Sequence, residues 1–157
     1  MMLQSILRSI FIDKSLLWDI KFLRRVSLFS DLPEKVLAEL INISNLKHYA
    51  AGETIFEEGS VGKILYIIKS GEVMGMKAGK DIFHMRIGDY FGEMALLEEA
   101  TRSVTIKAAQ ECELFLIYKV KFDGFLDEDP KAGVKILRNL ATKSCERLRL
   151  MDEKYVG

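Results

Sequence analysis

Eight of the chain's eleven glycines (Gly52, Gly59, Gly62, Gly71, Gly75, Gly79, Gly88 and Gly92) fall in one stretch, Leu46 to Tyr118. They separate short runs, Thr54 to Phe56, Ile64 to Lys69, Glu72 to Lys77 and Ile82 to Ile87, and the run Cys112 to Tyr118 closes the stretch. Short strands joined by regular glycine turns build sandwiches, jelly rolls or barrels. On either side the period changes to three and four residues. Leu3, Ile6, Leu7 and Ile10, then Leu16, Leu17, Ile20 and Leu23, form one helical stripe, and Val36, Leu37, Leu40 and Ile41 form another. Ser30 and Asp31 ahead of Pro33 and Glu34 predict a capped start for that second helix. Beyond Val120 the pattern is helical again, broken near Asp129 and Pro130, because a residue before proline avoids the helical region. At 157 residues the chain has room for one core of this kind.

Charge narrows the partners. Lys plus Arg (23) equals Asp plus Glu (23), so no net field holds a polyanion such as DNA. Arg8, Asp13, Lys14, Asp19, Lys21, Arg24 and Arg25 interrupt the apolar N-terminal segment too often for a signal peptide or membrane span. Cys112 and Cys145 form no CxxC pair, and a reducing, cytoplasmic setting is expected.

One stretch breaks the strand pattern: Gly88-Asp-Tyr-Phe-Gly-Glu-Met-Ala-Leu-Leu, followed after four residues by Arg102-Ser-Val-Thr-Ile-Lys-Ala. Gly92 leaves room for a ligand, and Glu93 to Leu97 read as a single helical turn whose first amides favour an anion. Arg102 opens a run, Val104 to Ile106, that reads as a barrel strand, so its guanidinium sits near an apolar interior and requires an anion. Glu93 offers only acceptors, which suit sugar hydroxyls. Together the amides, Arg102 and Glu93 describe a site for a ribose phosphate. The residues alone also allow Arg102 to pair with Glu93, Glu98 or Glu99, and Gly92 to be a plain turn residue.

Phe91-Gly-Glu-Met-Ala-Leu-Leu with Arg102 at its fixed distance resembles the phosphate-binding cassette of cyclic-nucleotide-binding domains. Phe22-Leu-Arg-Arg-Val-Ser-Leu-Phe-Ser-Asp-Leu-Pro, Ala51-Gly-Glu-Thr-Ile-Phe-Glu-Glu-Gly and Leu65-Tyr-Ile-Ile-Lys-Ser-Gly-Glu-Val are similar to the family's leading helix and first strands, so the resemblance runs from about residue 22 to the end. It implies a mainly β fold with flanking helices: an eight-stranded jelly-roll β-barrel, with N-terminal helices before it and lid helices after it. Residues 1–27 are expected to form a helical extension, 28–119 the barrel, and 120–157 a hinge (Phe122 to Pro130) with lid helices. The resemblance places the cyclic phosphate on Arg102 and the amide of Ala95, with Gly92 and Met94 beside them, and the ribose 2'-hydroxyl on Glu93. Thr101 stands where the family often has Pro, and Val104 where it usually has Ala, which reduces pocket volume. Ser103 resembles the hydroxyl of domains that accept cyclic GMP; cyclic AMP is the family's commoner ligand.

The tail Arg147-Leu-Arg-Leu-Met-Asp-Glu-Lys resembles the lid helix of the bacterial catabolite activator, which implies that Met151 and Asp152 approach the purine. Val134, Leu137, Ala141, Ser144, Leu148, Met151 and Tyr155 follow coiled-coil steps, so the helix 131–155 either joins a second copy in a homodimer or covers its own barrel. The activators continue into a DNA-binding helix-turn-helix; this sequence stops at Gly157, so no direct DNA binding is expected and signalling would pass through a partner protein. A metalloenzyme of similar architecture needs clustered ligands, and His48 and His84 are the only histidines, so no metal, no other cofactor and no catalysis are expected. The expectation is a cyclic-nucleotide-binding regulatory module; the alternative is a degenerate, ligand-free dimerisation or scaffold domain of the same fold.

Overall fold

The computed structural model describes residues 14–98 and 101–156. The predicted stripe at Leu3, Ile6, Leu7 and Ile10, the side chain of Tyr155 and the alternative partner Glu99 lie outside the described residues. Helix α1 (14–23) buries Ile20 and Leu23 and is followed by tight turns that bury Val26, Leu28, Phe29 and Leu32. Helix α2 (Glu34–Ile43) buries Val36, Leu37 and Leu40, with Ile41 partly covered. Its capping differs from expectation. Pro33 occupies the N-cap with no side-chain hydrogen bond, the Ser30 hydroxyl donates to the Ser27 carbonyl, and Asp31 accepts from the Asn139 amide at 2.7 Å. Asp31 therefore ties the last helix to the α1–α2 turn.

Eight strands follow: β1 (Ser44–Tyr49), β2 (Thr54–Phe56), β3 (Ile64–Ser70), β4 (Glu72–Lys77), β5 (Lys80–Arg86), β6 (Tyr90–Phe91), β7 (Thr105–Ala108) and β8 (Cys112–Tyr118). A one-turn helix, α3 (Met94–Leu97), interrupts them between β6 and β7. The strands pair antiparallel in two four-stranded sheets, ordered β1-β8-β3-β6 and β2-β7-β4-β5. This is the jelly roll expected from sequence, with its hydrogen bonding in two open sheets and no closed ladder among the described residues. Ala78 and Gly79 both take positive φ at the β4–β5 hairpin, the conformation a two-residue turn needs to match strand twist.

β3 and β8 read as continuous apolar runs because both their faces are covered. Leu65, Ile67, Phe115 and Ile117 face a core shared with the helices, whereas Tyr66, Ile68, Leu114 and Leu116 face a second core that also holds Val73 of β4 and Ile106 of β7. Pairing of Tyr66 with Leu116 and Ile67 with Phe115 keeps that alternation in register. Edge strand β5 is largely exposed.

Two helices close the fold, α4 (Lys119–Glu128) and α5 (Pro130–Val156). Asp129 Oδ1 accepts from the Ala132 amide at 3.0 Å and Pro130 fills the first helical position, which restarts the chain as a helix after the break. α5 packs on the core through Ala132, Ile136 and Leu140. Val134, Leu137, Leu148 and Met151 are exposed, so the coiled-coil stripe does not cover its own barrel. No helix among the described residues is long and apolar enough to cross a membrane.

Candidate functional site

A cavity of about 210 Å³ opens between β5, the β6–α3 turn, the start of β7 and α5. The chain brings Arg102 there by pinning its backbone: the Arg102 amide donates to Ser60 O and its carbonyl accepts from the Gly59 amide, each at 2.8 Å, and Thr101 bridges to Val61. The Arg102 side chain is directed inward, leaving the residue 9% exposed. Its guanidinium donates to Ile64 O at 3.0 Å and Gly92 O at 3.4 Å, and lies 4.2 Å from the Phe56 ring centroid and 5.7 Å from that of Tyr66. No carboxylate forms an ion pair with it among the described residues, so Arg102 does not take Glu93 or Glu98 as a structural partner.

Burial works against the charge of Arg102 and holds its pKa below the usual arginine value. The neighbouring Tyr66 hydroxyl is pushed up to about 12, chiefly by burial, so it is neutral and supplies no counter-charge. Cation–π contact and two carbonyl dipoles thus stabilise the guanidinium without neutralising it.

Gly92 has a further role beside its place in the cavity lining. Its φ is +75°, and a Cβ there would sit 2.6 Å from Arg102 Nη1 and 2.8 Å from Ile64 O, so the space it leaves accommodates the guanidinium. Gly62 does the same from the other side, since a Cβ would meet Arg102 Cζ at 2.5 Å. The missing side chains of two glycines make the slot in which Arg102 lies.

Glu93 immediately precedes α3, with its side chain 15% exposed, and its Oε1 accepts from Arg147 Nη1 of α5. The Arg147 guanidinium also lies 5.5 Å from the Tyr90 ring centroid. Tyr90 has its pKa raised by burial, with Arg147 opposing that shift. Met94, Ala95 and Ser103 line the same cavity, together with Gly92, Glu93 and Arg102. The Ala95 amide, expected to meet an anion, donates to Gly92 O at 3.1 Å and closes the turn. Met151 and Asp152 are exposed and lie outside the lining. Arg147, one turn earlier on α5, is the residue of that helix that lines the cavity.

Sequence reasoning missed Phe56, Gly62, Tyr66 and Arg147, and it missed Phe83 and Met85, which bring β5 to the cavity wall. Phe83 and Met85 alternate with His84 along β5, and the Phe83–Met85 face is the one that meets the cavity. His84 is bonded away from it, to Glu72 at 2.5 Å and Asp81 at 2.6 Å, and His48 pairs with Glu113 at 3.0 Å on the other sheet.

Residues 46–129 match the family model described as cyclic nucleotide-binding domain. The chain is 34% identical over 114 residues to a cAMP-dependent protein kinase regulatory subunit of Eremothecium gossypii, a match covering 72% of this chain and 25% of that protein. It is 34% identical over 133 residues to a cGMP-dependent protein kinase of Eimeria tenella, covering 83% of this chain and 12% of the kinase. The chain thus spans a quarter or less of these two relatives. Its fold superimposes on the Thermus thermophilus catabolite activator protein with a TM-score of 0.72 and 27% identity, over 82% of this chain and 61% of that one.

Proposed function

The chain belongs to the cyclic nucleotide-binding domain family, and from that footing we propose that it is a regulatory module that binds a cyclic mononucleotide, cyclic AMP ahead of cyclic GMP, and signals through a partner protein. The observation that carries the reading is Arg102: a buried guanidinium, facing a cavity, with no carboxylate to balance it among the described residues. A cyclic phosphate brings one negative charge and two exocyclic oxygens that match the fork of the guanidinium. Glu93 has a second oxygen for a ribose hydroxyl while the first holds Arg147. Phe83 and Met85 offer an apolar wall for a purine, and Ser103 at the rim has a hydroxyl that can accept from the guanine 2-amino group.

The relatives named above divide between cyclic AMP and cyclic GMP. Cyclic AMP is placed first on the family's commoner usage, and Ser103 keeps cyclic GMP close behind. Met151 and Asp152 serve the base only if α5 closes further over the cavity. Catalysis is not part of the proposal, which assigns the lining residues to binding alone.

We propose further that the exposed stripe Val134, Leu137, Leu148 and Met151 forms a homodimer seam with a second copy, tested by sedimentation of the native chain against Leu137→Glu. The free thiols of Cys112 and Cys145 accord with a reducing, cytoplasmic setting.

Thermal unfolding tests the ligand assignment. A ligand at a hundred times its dissociation constant stabilises the native state by about 2.7 kcal/mol. That raises the melting midpoint by about 5 to 11 °C for a chain of this size. Linear AMP, with an extra charge and no phosphate ring closed onto the ribose, should do much less. If millimolar cyclic AMP and cyclic GMP both leave the midpoint unmoved, the ligand-free scaffold reading replaces this one.

A further inference from the structure

Among the described residues, helix α1 has an outward face that neither the fold nor the proposed nucleotide site uses. Ile20 and Leu23 face the core with Leu16 and Phe22 packed beside them. On the opposite side Lys14, Trp18, Lys21 and Arg25 follow steps of four, three and four residues, which aligns them in one stripe along the helix and the turn that continues it. All four are exposed; Trp18, the chain's one tryptophan, is 73% exposed, and its neighbour Leu17 is 48% exposed. The Lys21 ammonium lies 5.8 Å from the Trp18 ring centroid. Among the described residues of α1 the one carboxylate, Asp19, is turned inward, with its side chain 13% exposed and paired with Lys69 at 2.8 Å. Folding thereby removes that anion from the surface and leaves a cationic stripe around an exposed indole. At the far end Arg24 forms a solvent-exposed pair with Glu34 at 3.6 Å, beside the stripe rather than within it.

We infer that this face of α1 docks on an anionic phospholipid surface. An indole is favoured at the depth of lipid headgroups, where its ring is apolar and its N–H stays wet, and flanking lysines and arginines meet the negative surface potential. The contact is peripheral, because the apolar residues that would insert more deeply, Ile20 and Leu23, are committed to the core. An acidic protein would also satisfy the cations, and the polyglutamate arm of the test separates it from a lipid surface.

Trp18 makes the test direct, since all tryptophan fluorescence comes from it. The full chain is titrated with vesicles of phosphatidylcholine alone and of phosphatidylcholine with about 30% phosphatidylserine. The expected result is a blue shift and protection from acrylamide quenching with the anionic vesicles only, reversed as NaCl rises from about 0.1 to about 0.5 M. Lys21→Glu should weaken partitioning at least about fivefold, the loss expected for removing one cation near such a surface. Trp18→Phe, followed by vesicle sedimentation, should weaken it while leaving the melting midpoint in place. No spectral change with anionic vesicles, equal partitioning of Lys21→Glu, or the same blue shift with soluble polyglutamate would overturn the assignment, the last in favour of an acidic protein partner.

Discussion

Arg147 of α5 and Glu93 of the cassette, 54 residues apart, share a hydrogen-bonded ion pair at the mouth of the cavity. Through this pair the last helix touches the residue expected to hold the ribose. Glu93 is mostly buried and Arg147 half-exposed, so the contact contributes more than a fully solvated pair while still being screened. Arg147→Ala removes both the tie between α5 and Glu93 and a cation beside the proposed anionic ligand. Cyclic-nucleotide affinity should fall about fivefold, equivalent to about 1 kcal/mol. Unchanged or tighter binding by calorimetry would show that Arg147 competes with the ligand.

Gly62 offers a test that leaves every proposed ligand-contacting residue unsubstituted. A methyl group there would lie 2.5 Å from Arg102 Cζ, so Gly62→Ala must push the guanidinium out of its slot. Affinity should drop by about tenfold to a hundredfold, or about 1.4 to 2.8 kcal/mol, with the circular dichroism spectrum preserved. Retained affinity would mean that the slot does not position Arg102.

Much of this was legible in the sequence, and the rest was hidden for physical reasons. Glycine turns and apolar alternation marked the strands because both are local. Arg102 and Glu93 stood out because a charge near an apolar strand is costly wherever the chain leads. Nothing local connected Gly62 with Gly92, or Arg147 with Glu93, since those pairs meet only after the sheets and α5 have packed. The coiled-coil stripe of α5 was visible, but its burial was not, because Ala132, Ile136 and Leu140 form a neighbouring stripe of similar period. The capping signal at Ser30 and Asp31 failed because Asp31 found a tertiary partner in Asn139.

His84 on the β4–β5 hairpin is bonded through both ring nitrogens to carboxylates, and the Asp81 and Glu72 bonds raise its pKa. A raised folded value stabilises the hairpin below the unfolded pKa of about 6.5, and the benefit is lost as pH climbs through the folded value. Glu72, lowered chiefly by its bond to His84 and also held by Arg86, adds stability above the ordinary glutamate range that is lost as pH falls through its folded value. The hairpin should be most stable between those limits. An NMR titration should place the His84 midpoint above that of an unstructured histidine, and His84→Gln should flatten the melting midpoint's pH dependence on the alkaline side. A midpoint at or below the ordinary value would contradict the geometry.

Ser103 lies at the rim of the cavity. Ser103→Ala should weaken cyclic GMP more than cyclic AMP, by a few-fold to about tenfold for a lost hydrogen bond of about 0.5 to 1.5 kcal/mol. Equal losses for both nucleotides would remove Ser103 from base selection.

The central claim is that Arg102 is held buried for an anionic cyclic phosphate. Calorimetric titration of the native chain, Arg102→Ala and Arg102→Met with cyclic AMP and cyclic GMP tests it most directly. The native chain should bind at one site, and both variants should bind about a hundredfold more weakly or not at all, as expected for losing hydrogen bonds to a charged group worth about 3 kcal/mol. Arg102→Met should melt, without ligand, no more than about 3 °C below the native chain, because an apolar side chain of similar length replaces a buried charge that has no carboxylate partner among the described residues. Equal affinity in all three proteins would contradict the account.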